Sequence, residues 1–174
     1  VAPALRLGNR TGGMIQVKWS FTEPGYFEKH KDEIRFFNLE IYVIDKLTGE
    51  KHIDPLKTLH FANSTTSSYA QNRLNETTEH WFRIRTITGE KSQCNIAGAS
   101  ACRNGPWGKY LRINTTKPTK PSKIGPPTYV KSTGGGIYIT WDEPWDFGGV
   151  PLESYLLKAD HSNLAKPVIT VVSP

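Results

Sequence analysis

His80-Trp81-Phe82-Arg83-Ile84-Arg85-Thr86-Ile87 alternates with a period of two. In an extended chain successive side chains leave opposite faces. His80, Phe82, Ile84 and Thr86 therefore share one face, and Trp81, Arg83, Arg85 and Ile87 share the other. A helix would scatter both sets around its axis. The same period recurs in Met14-Ile15-Gln16-Val17-Lys18-Trp19-Ser20-Phe21, where Ile15, Val17, Trp19 and Phe21 fall together. Leu39-Glu40-Ile41-Tyr42-Val43-Ile44 is a further β-rich run, and shorter ones lie at 110–113, 136–141, 155–158 and 168–172. No segment sustains a helical stripe over three turns. Short strands separated by turn signals predict an all-β sandwich or barrel.

Between these runs lie two long connections. Residues 22–33 are polar, contain Pro24-Gly25 and read as a loop of mixed charge; residues 89–106 hold both cysteines. A third stretch, 115–127, reads Thr-Thr-Lys-Pro-Thr-Lys-Pro-Ser-Lys-Ile-Gly-Pro-Pro. Prolines cannot donate to a central ladder, so this stretch predicts a short, stiff linker. The domain boundary is expected there, with one domain over 1–118 and a second beginning at 119.

The 174 residues suit one domain or two small ones, at about 100–200 residues each. A net charge of +6 favours anionic partners: acidic protein faces, acidic glycans or a membrane surface. The simpler reading is a basic surface that confers solubility. Lys and Arg are dispersed and no nucleic-acid motif accompanies them, so no nucleic-acid partner is expected. The apolar runs fall far short of a membrane span. No signal segment occurs at Val1, which reads as the start of a mature or excised piece.

Cys94 and Cys102, an even count at close spacing, read as one local disulfide in an oxidising compartment, with reduced thiols as the alternative. Four glycosylation acceptor sequons accompany them, at Asn9, Asn63, Asn75 and Asn114. Together these predict a secreted or cell-surface protein.

The two halves share a pattern. Ile15-Gln16-Val17-Lys18-Trp19 and Ile137-Tyr138-Ile139-Thr140-Trp141 each end an alternating run on Trp, and Pro24 and Pro144 follow. A thin sandwich core needs one large rigid side chain near its centre. In this the sequence resembles fibronectin type III modules. Pro126-Pro127, then the run ending Trp141-Asp142-Glu143-Pro144, then Asp146-Phe147-Gly148-Gly149-Val150-Pro151-Leu152-Glu153-Ser154-Tyr155 is similar to the entry, second strand and turn into strand C of such a module, with paired glycines that permit positive φ. In the first half Trp19, Leu74, Thr78, the 80–84 run and Gly105-Pro106-Trp107-Gly108-Lys109-Tyr110-Leu111 carry the likeness. His80 stands where the family places a corner Tyr. The resemblance implies two immunoglobulin-like (fibronectin type III) β-sandwiches in tandem. The first has long B–C and F–G loops. The second, 119–174, is partial, since nothing remains for strands E, F and G; a longer array or another chain would complete it. Trp19, Trp141 and Tyr155 are the expected core anchors.

The disulfide would stabilise by roughly 2–3 kcal/mol through loop closure; it could also stiffen a recognition loop. Trp81, Arg83, Arg85 and Trp107 form a candidate interaction surface, a cation–π stack like that of cytokine-receptor modules, although Trp-Ser-x-Trp-Ser is absent and a solvated polar face is the simpler reading. No catalytic residues, metal ligands or cofactor are expected: the five histidines include no ligand-spaced pair, and neither a Gly-x-Ser-x-Gly elbow nor a phosphate-cradling loop occurs. The chain is thus expected to be no enzyme. It reads as a spacer and protein-interaction segment of an extracellular structural or adhesive glycoprotein, whose partners are other modules, matrix or cell-surface proteins, or acidic glycans. The alternatives are a receptor ectodomain that binds a protein ligand through first-module loops, and an accessory module of a secreted carbohydrate-active enzyme.

Overall fold

Ile15, Val17 and Trp19 are withdrawn from water on the inner face of a strand whose Gln16, Lys18 and Ser20 look outward. The computed structural model that places them describes residues 1–45, 47–52, 54–62, 67–90, 92–94, 99–159 and 168–172. The strand is β2 (Ile15–Ser20). It lies between β1 (Ala4–Arg10) and β5 (Ser68–Gln71) in a three-stranded antiparallel sheet. Facing it is a larger antiparallel sheet. There β3 (Ile34–Val43) runs between β4 (Lys57–Ala62) and β6 (Glu79–Thr88), and β6 pairs on its far side with β7 (Arg103–Asn104) and β8 (Leu111–Asn114). The two sheets together make an all-β sandwich.

The core follows from strand parity. Phe37, Leu39 and Ile41 of β3, and Phe82 and Ile84 of β6, meet Ile15, Val17 and Trp19 across the gap. The Trp19 ring centroid lies 5.9 Å from Phe37 and 5.3 Å from Phe61. Trp19 is 4% exposed, so it anchors this core. Residues 22–33 are not wholly loop: a single turn, α1 (Tyr26–His30), forms within them. Tyr26 and Phe27 of that turn pack on Phe21, with centroids 4.9 and 6.2 Å away.

His80 is buried at the start of β6, and its Nδ1 lies 3.0 Å from the Thr78 carbonyl. A carbonyl only accepts, so Nδ1 carries the proton. The imidazole thus ties the chain back at the corner where the family resemblance placed a Tyr.

Further along, β9 (Thr128–Thr133) and β10 (Gly136–Thr140) form a hairpin, and β11 (Tyr155–Ala159) pairs with β12 (Val168–Val172). Trp141 meets Tyr155 edge-on at 5.6 Å. Both are only half-buried, because the two ladders remain separate and close no second core among the described residues.

Residues 146–149 bring this C-terminal part against the sandwich. Asp146, 4% exposed, receives the Thr11 hydroxyl on Oδ2 at 2.6 Å and the Gly148 N–H on Oδ1 at 2.9 Å. Glu76 N–H donates to the Gly149 carbonyl at 3.1 Å, and Thr119 N–H to the Gly148 carbonyl at 3.0 Å. The backbones touch: a Cβ on Gly148 would sit 2.0 Å from the Thr119 oxygen, and one on Gly12 would sit 2.1 Å from the Gly148 oxygen. Gly148 and Gly149 also hold φ of 80° and 96°, which glycine adopts without penalty.

Candidate functional site

The outer face of the larger sheet is where parity places Trp81, Arg83 and Arg85. The ladder sets Tyr42 opposite Trp81, Glu40 opposite Arg83 and Asn38 opposite Arg85; on the other side of β6, Arg112 stands opposite Trp81. Cross-strand neighbours on one face are close enough to touch, and here they do. Arg83 Nε donates to Glu40 Oε2 at 2.6 Å, and Arg83 Nη2 to the Tyr42 hydroxyl at 2.8 Å. The Tyr42 hydroxyl donates to the same carboxylate oxygen at 2.6 Å.

Trp107 arrives from the segment before β8. Gly105 N–H donates to the Thr86 carbonyl and Gly108 N–H to the Ile84 carbonyl, at 2.9 and 2.8 Å. These bonds hold the segment against β6, and the flanking glycines make the approach feasible. A Cβ on Gly105 would lie 2.6 Å from the Thr86 hydroxyl, and one on Gly108 would lie 2.6 Å from the Pro3 carbonyl oxygen. The Trp107 centroid then lies 4.2 Å from the Arg83 guanidinium carbon and 4.3 Å from that of Arg85. Same-face neighbours on a strand are about 7 Å apart, which leaves room for one ring between them. The stack continues as Arg112 over Trp81 at 4.0 Å, Trp81 beside Tyr110 at 5.4 Å, and Lys51 over Tyr42 at 3.7 Å. This face is therefore a half-buried array of rings and cations, not a fully solvated polar surface.

The electrostatics differ along it. Burial alone would weaken the charge of Arg83, but the Glu40 carboxylate outweighs burial and holds it above its ordinary value. Burial, then the hydrogen bond to Glu40, pushes the Tyr42 hydroxyl up to about 12. Burial pushes the Arg85 guanidinium below its ordinary value, offset in part by the charge of Glu40. Its Nε is buried with no hydrogen-bond partner.

The fold resembles fibronectin type III structures. It is similar to the third fibronectin III domain of the human KIAA0343 protein, with a TM-score of 0.48 and 17% identity over 71% of this chain and 87% of that one. It is also similar to a segment of two fibronectin type III domains from chicken tenascin, with a TM-score of 0.42 and 12% identity over 99% of this chain and 78% of that one. No family model matches the chain, and no curated protein matches it.

The remaining expected site residues fall elsewhere. Cys94 and Cys102 form a disulfide, with Cα atoms 5.0 Å apart, beyond the end of β6. Asn9, Asn75 and Asn114 are exposed, and Asn63 lies outside the described residues. Among the described residues no three His, Cys, Asp or Glu side chains gather as metal ligands, and no helix is long and apolar enough to cross a membrane. Sequence reading missed Glu40, Tyr42, Tyr110 and Arg112 as members of the stack. The parity of β3 was the available signal, because Glu40 and Tyr42 alternate with Leu39 and Ile41.

Proposed function

We propose that the chain is a spacer and protein-interaction segment of an extracellular structural or adhesive glycoprotein. Its modules are read as 1–118 and 119–174. The observation that carries the docking role is Trp107 lodged between Arg83 and Arg85 on an open sheet face. Rigid aromatic and Arg side chains lose little freedom on binding and are enriched where partners bind most tightly. The spacer role draws support from the backbone contact of Gly12 with Gly148, and the extracellular setting from the disulfide and the three exposed sequons.

Photo-crosslinking tests the docking role. A benzoylphenylalanine at position 112 is expected to capture partner protein in situ, one at position 18 on the opposite sheet is not, and Trp107→Ala abolishes the capture. Equal capture at both positions, or capture indifferent to Trp107→Ala, overturns it. Secretion from a eukaryotic host, followed by intact mass before and after glycan removal, tests the setting; an unchanged mass overturns the glycoprotein assignment.

A receptor-like reading has one observation in its favour. The two long loops meet, as Gly89 N–H donates to the Glu33 carbonyl at 3.1 Å and Arg35 Nε to the Gly89 carbonyl at 2.8 Å. Capture by a crosslinker at position 93, and none at 112, would favour it.

A further inference from the structure

Arg83, Arg85 and Arg112 share the outer face of the larger sheet, and they are compensated unequally. Arg83 has Glu40 and the Tyr42 hydroxyl. Arg112 is itself exposed on β8, where water solvates it. Arg85 is half-buried and makes no ion pair or hydrogen bond among the described residues, and its Nε is shut away from water. Asn38, directly across the ladder from it, is 3% exposed, and its amide oxygen also lacks a partner. Glu40 gives its Oε2 to Arg83 and Tyr42 and makes no hydrogen bond to Arg85.

A buried charge or amide without a partner is costly. Of the two, only the half-buried Arg85 guanidinium meets solvent, and as a donor it marks a place where a further acceptor fits. Trp107 covers the Arg85 guanidinium from one side at 4.3 Å and so restricts its motion. A guanidinium presents parallel N–H groups that match the two oxygens of a carboxylate.

We propose that Arg85, held on Trp107, takes an Asp or Glu carboxylate from an acidic segment of a protein partner. The assignment rests on reading the stacked face as the docking surface. Charge complementarity supports an acidic occupant: Lys51, Arg83, Arg85 and Arg112 stand on this face with Glu40 and Glu79 as their carboxylates. A protein segment fits better than a sulfated glycan. The uncompensated group is a single guanidinium against one ring, whereas a glycan would need a row of exposed cations. Trp81 and Tyr110, further along the same face, offer apolar contact to residues flanking the acid.

The test is an NMR titration of the full chain, at fixed salt, with an acetylated and amidated hexaglutamate peptide. The Arg85 Nε–H and Trp107 indole N–H resonances report. Saturable shifts at both are expected. Arg85→Gln is expected to weaken the Kd about tenfold, Arg85→Lys nearly as much because it keeps the charge but loses the fork, and Arg112→Gln by less than about threefold. Amide dispersion of the β6 residues establishes that each variant is folded, and Arg85→Lys decides the matter if Arg85→Gln is not. Silence at Arg85 overturns the proposal. So does an equal loss in Arg112→Gln, which would mean diffuse attraction. So does saturation by a heparin hexasaccharide where the peptide fails, which would make the site a sulfate receptor. Capture at position 112 with Arg85 silent would leave the docking face standing and remove only the carboxylate assignment; loss of both would remove the docking face.

Discussion

The hydroxyl of Thr11 donates to the carboxylate of Asp146 across 2.6 Å, joining positions separated by 135 residues. Thr11 belongs to the turn between β1 and β2, and Asp146 to the loop that precedes β11. Thr11→Val keeps the shape and removes the donor, leaving a buried carboxylate oxygen without its partner. The expected loss is about 1–3 kcal/mol, read as a lower urea midpoint. Thr11 is also the hydroxyl residue of the Asn9 sequon. Asn9→Gln abolishes the same sequon without touching the contact, and is expected to leave stability unchanged. Equal losses in the two variants would attribute the effect to the glycan.

Glycine at 148 is required twice, by its φ of 80° and by the Thr119 oxygen that a Cβ would meet at 2.0 Å. Gly148→Ala is expected to lift residues 146–149 off the Gly12–Gly13 turn. Backbone strain of this kind costs about 1–3 kcal/mol, so the docked arrangement gives way before the sandwich does. Faster limited proteolysis in the 115–127 stretch, with the β6 amides unmoved, would report it. A Cβ on Gly134, in the β9–β10 turn, meets nothing within 4 Å, so Gly134→Ala is the matched control and is expected to behave as the native chain.

How much of this could be read from the chain depends on the range of each interaction. Strand β6 was legible because each of its residues has one inner or outer assignment, and burial follows that parity from His80 to Thr86. The buried Trp19 was legible for the same reason. Strands β1, β4 and β5 were not foreseen: β1 is exposed along nearly its whole length, β4 leaves Lys57, Thr58 and His60 exposed, and β5 is four half-buried residues. They owe their ladders to their neighbours and not to an apolar alternation of their own. The turn at Tyr26–His30 is too short to show a helical period. The contact of Gly12 with Gly148 leaves no local trace, because glycine carries no side chain to pattern. Positive φ at 148 and 149 was legible; what those glycines pack against was not.

Glu40 and Arg83 form an ion pair at 2.6 Å with side chains only 14% and 25% exposed. Removing one partner of a largely buried pair leaves the other uncompensated. Glu40→Gln is expected to cost about 1–3 kcal/mol, less than full burial would imply because both groups retain some contact with water. The same change should lower the ionisation of Tyr42 from about 12 toward 10.0. It should stay above the ordinary value, since burial is the larger cause. Tyrosinate absorbance during alkaline titration follows this directly. In the native chain the unfolded Tyr ionises first, so stability declines as pH rises above about 10, and that decline is expected to be shallower in Glu40→Gln. An unchanged Tyr42 titration would mean that the carboxylate contributes nothing to the phenol.

His80 is 2% exposed, and burial holds its ionisation below the ordinary 6.5, with the hydrogen bond to Thr78 opposing. The folded protein therefore favours the neutral ring. As pH falls through 6.5 the unfolded chain binds a proton that the folded chain refuses, so stability is full above that value and is lost progressively toward the lowered folded value. The urea midpoint is expected to be lower at about pH 5.5 than at about pH 7.5, a pH interval that brackets the ordinary histidine value. Carboxylates and exposed histidines add a background of their own, which a variant removes by difference. His80→Asn keeps an amide N–H close to the place of Nδ1 but cannot titrate. It is expected to be less stable at neutral pH, from lost packing, and to lose less on acidification than the native chain. Parallel midpoint profiles for the two proteins would mean that the buried imidazole does not govern the acid side of the stability curve.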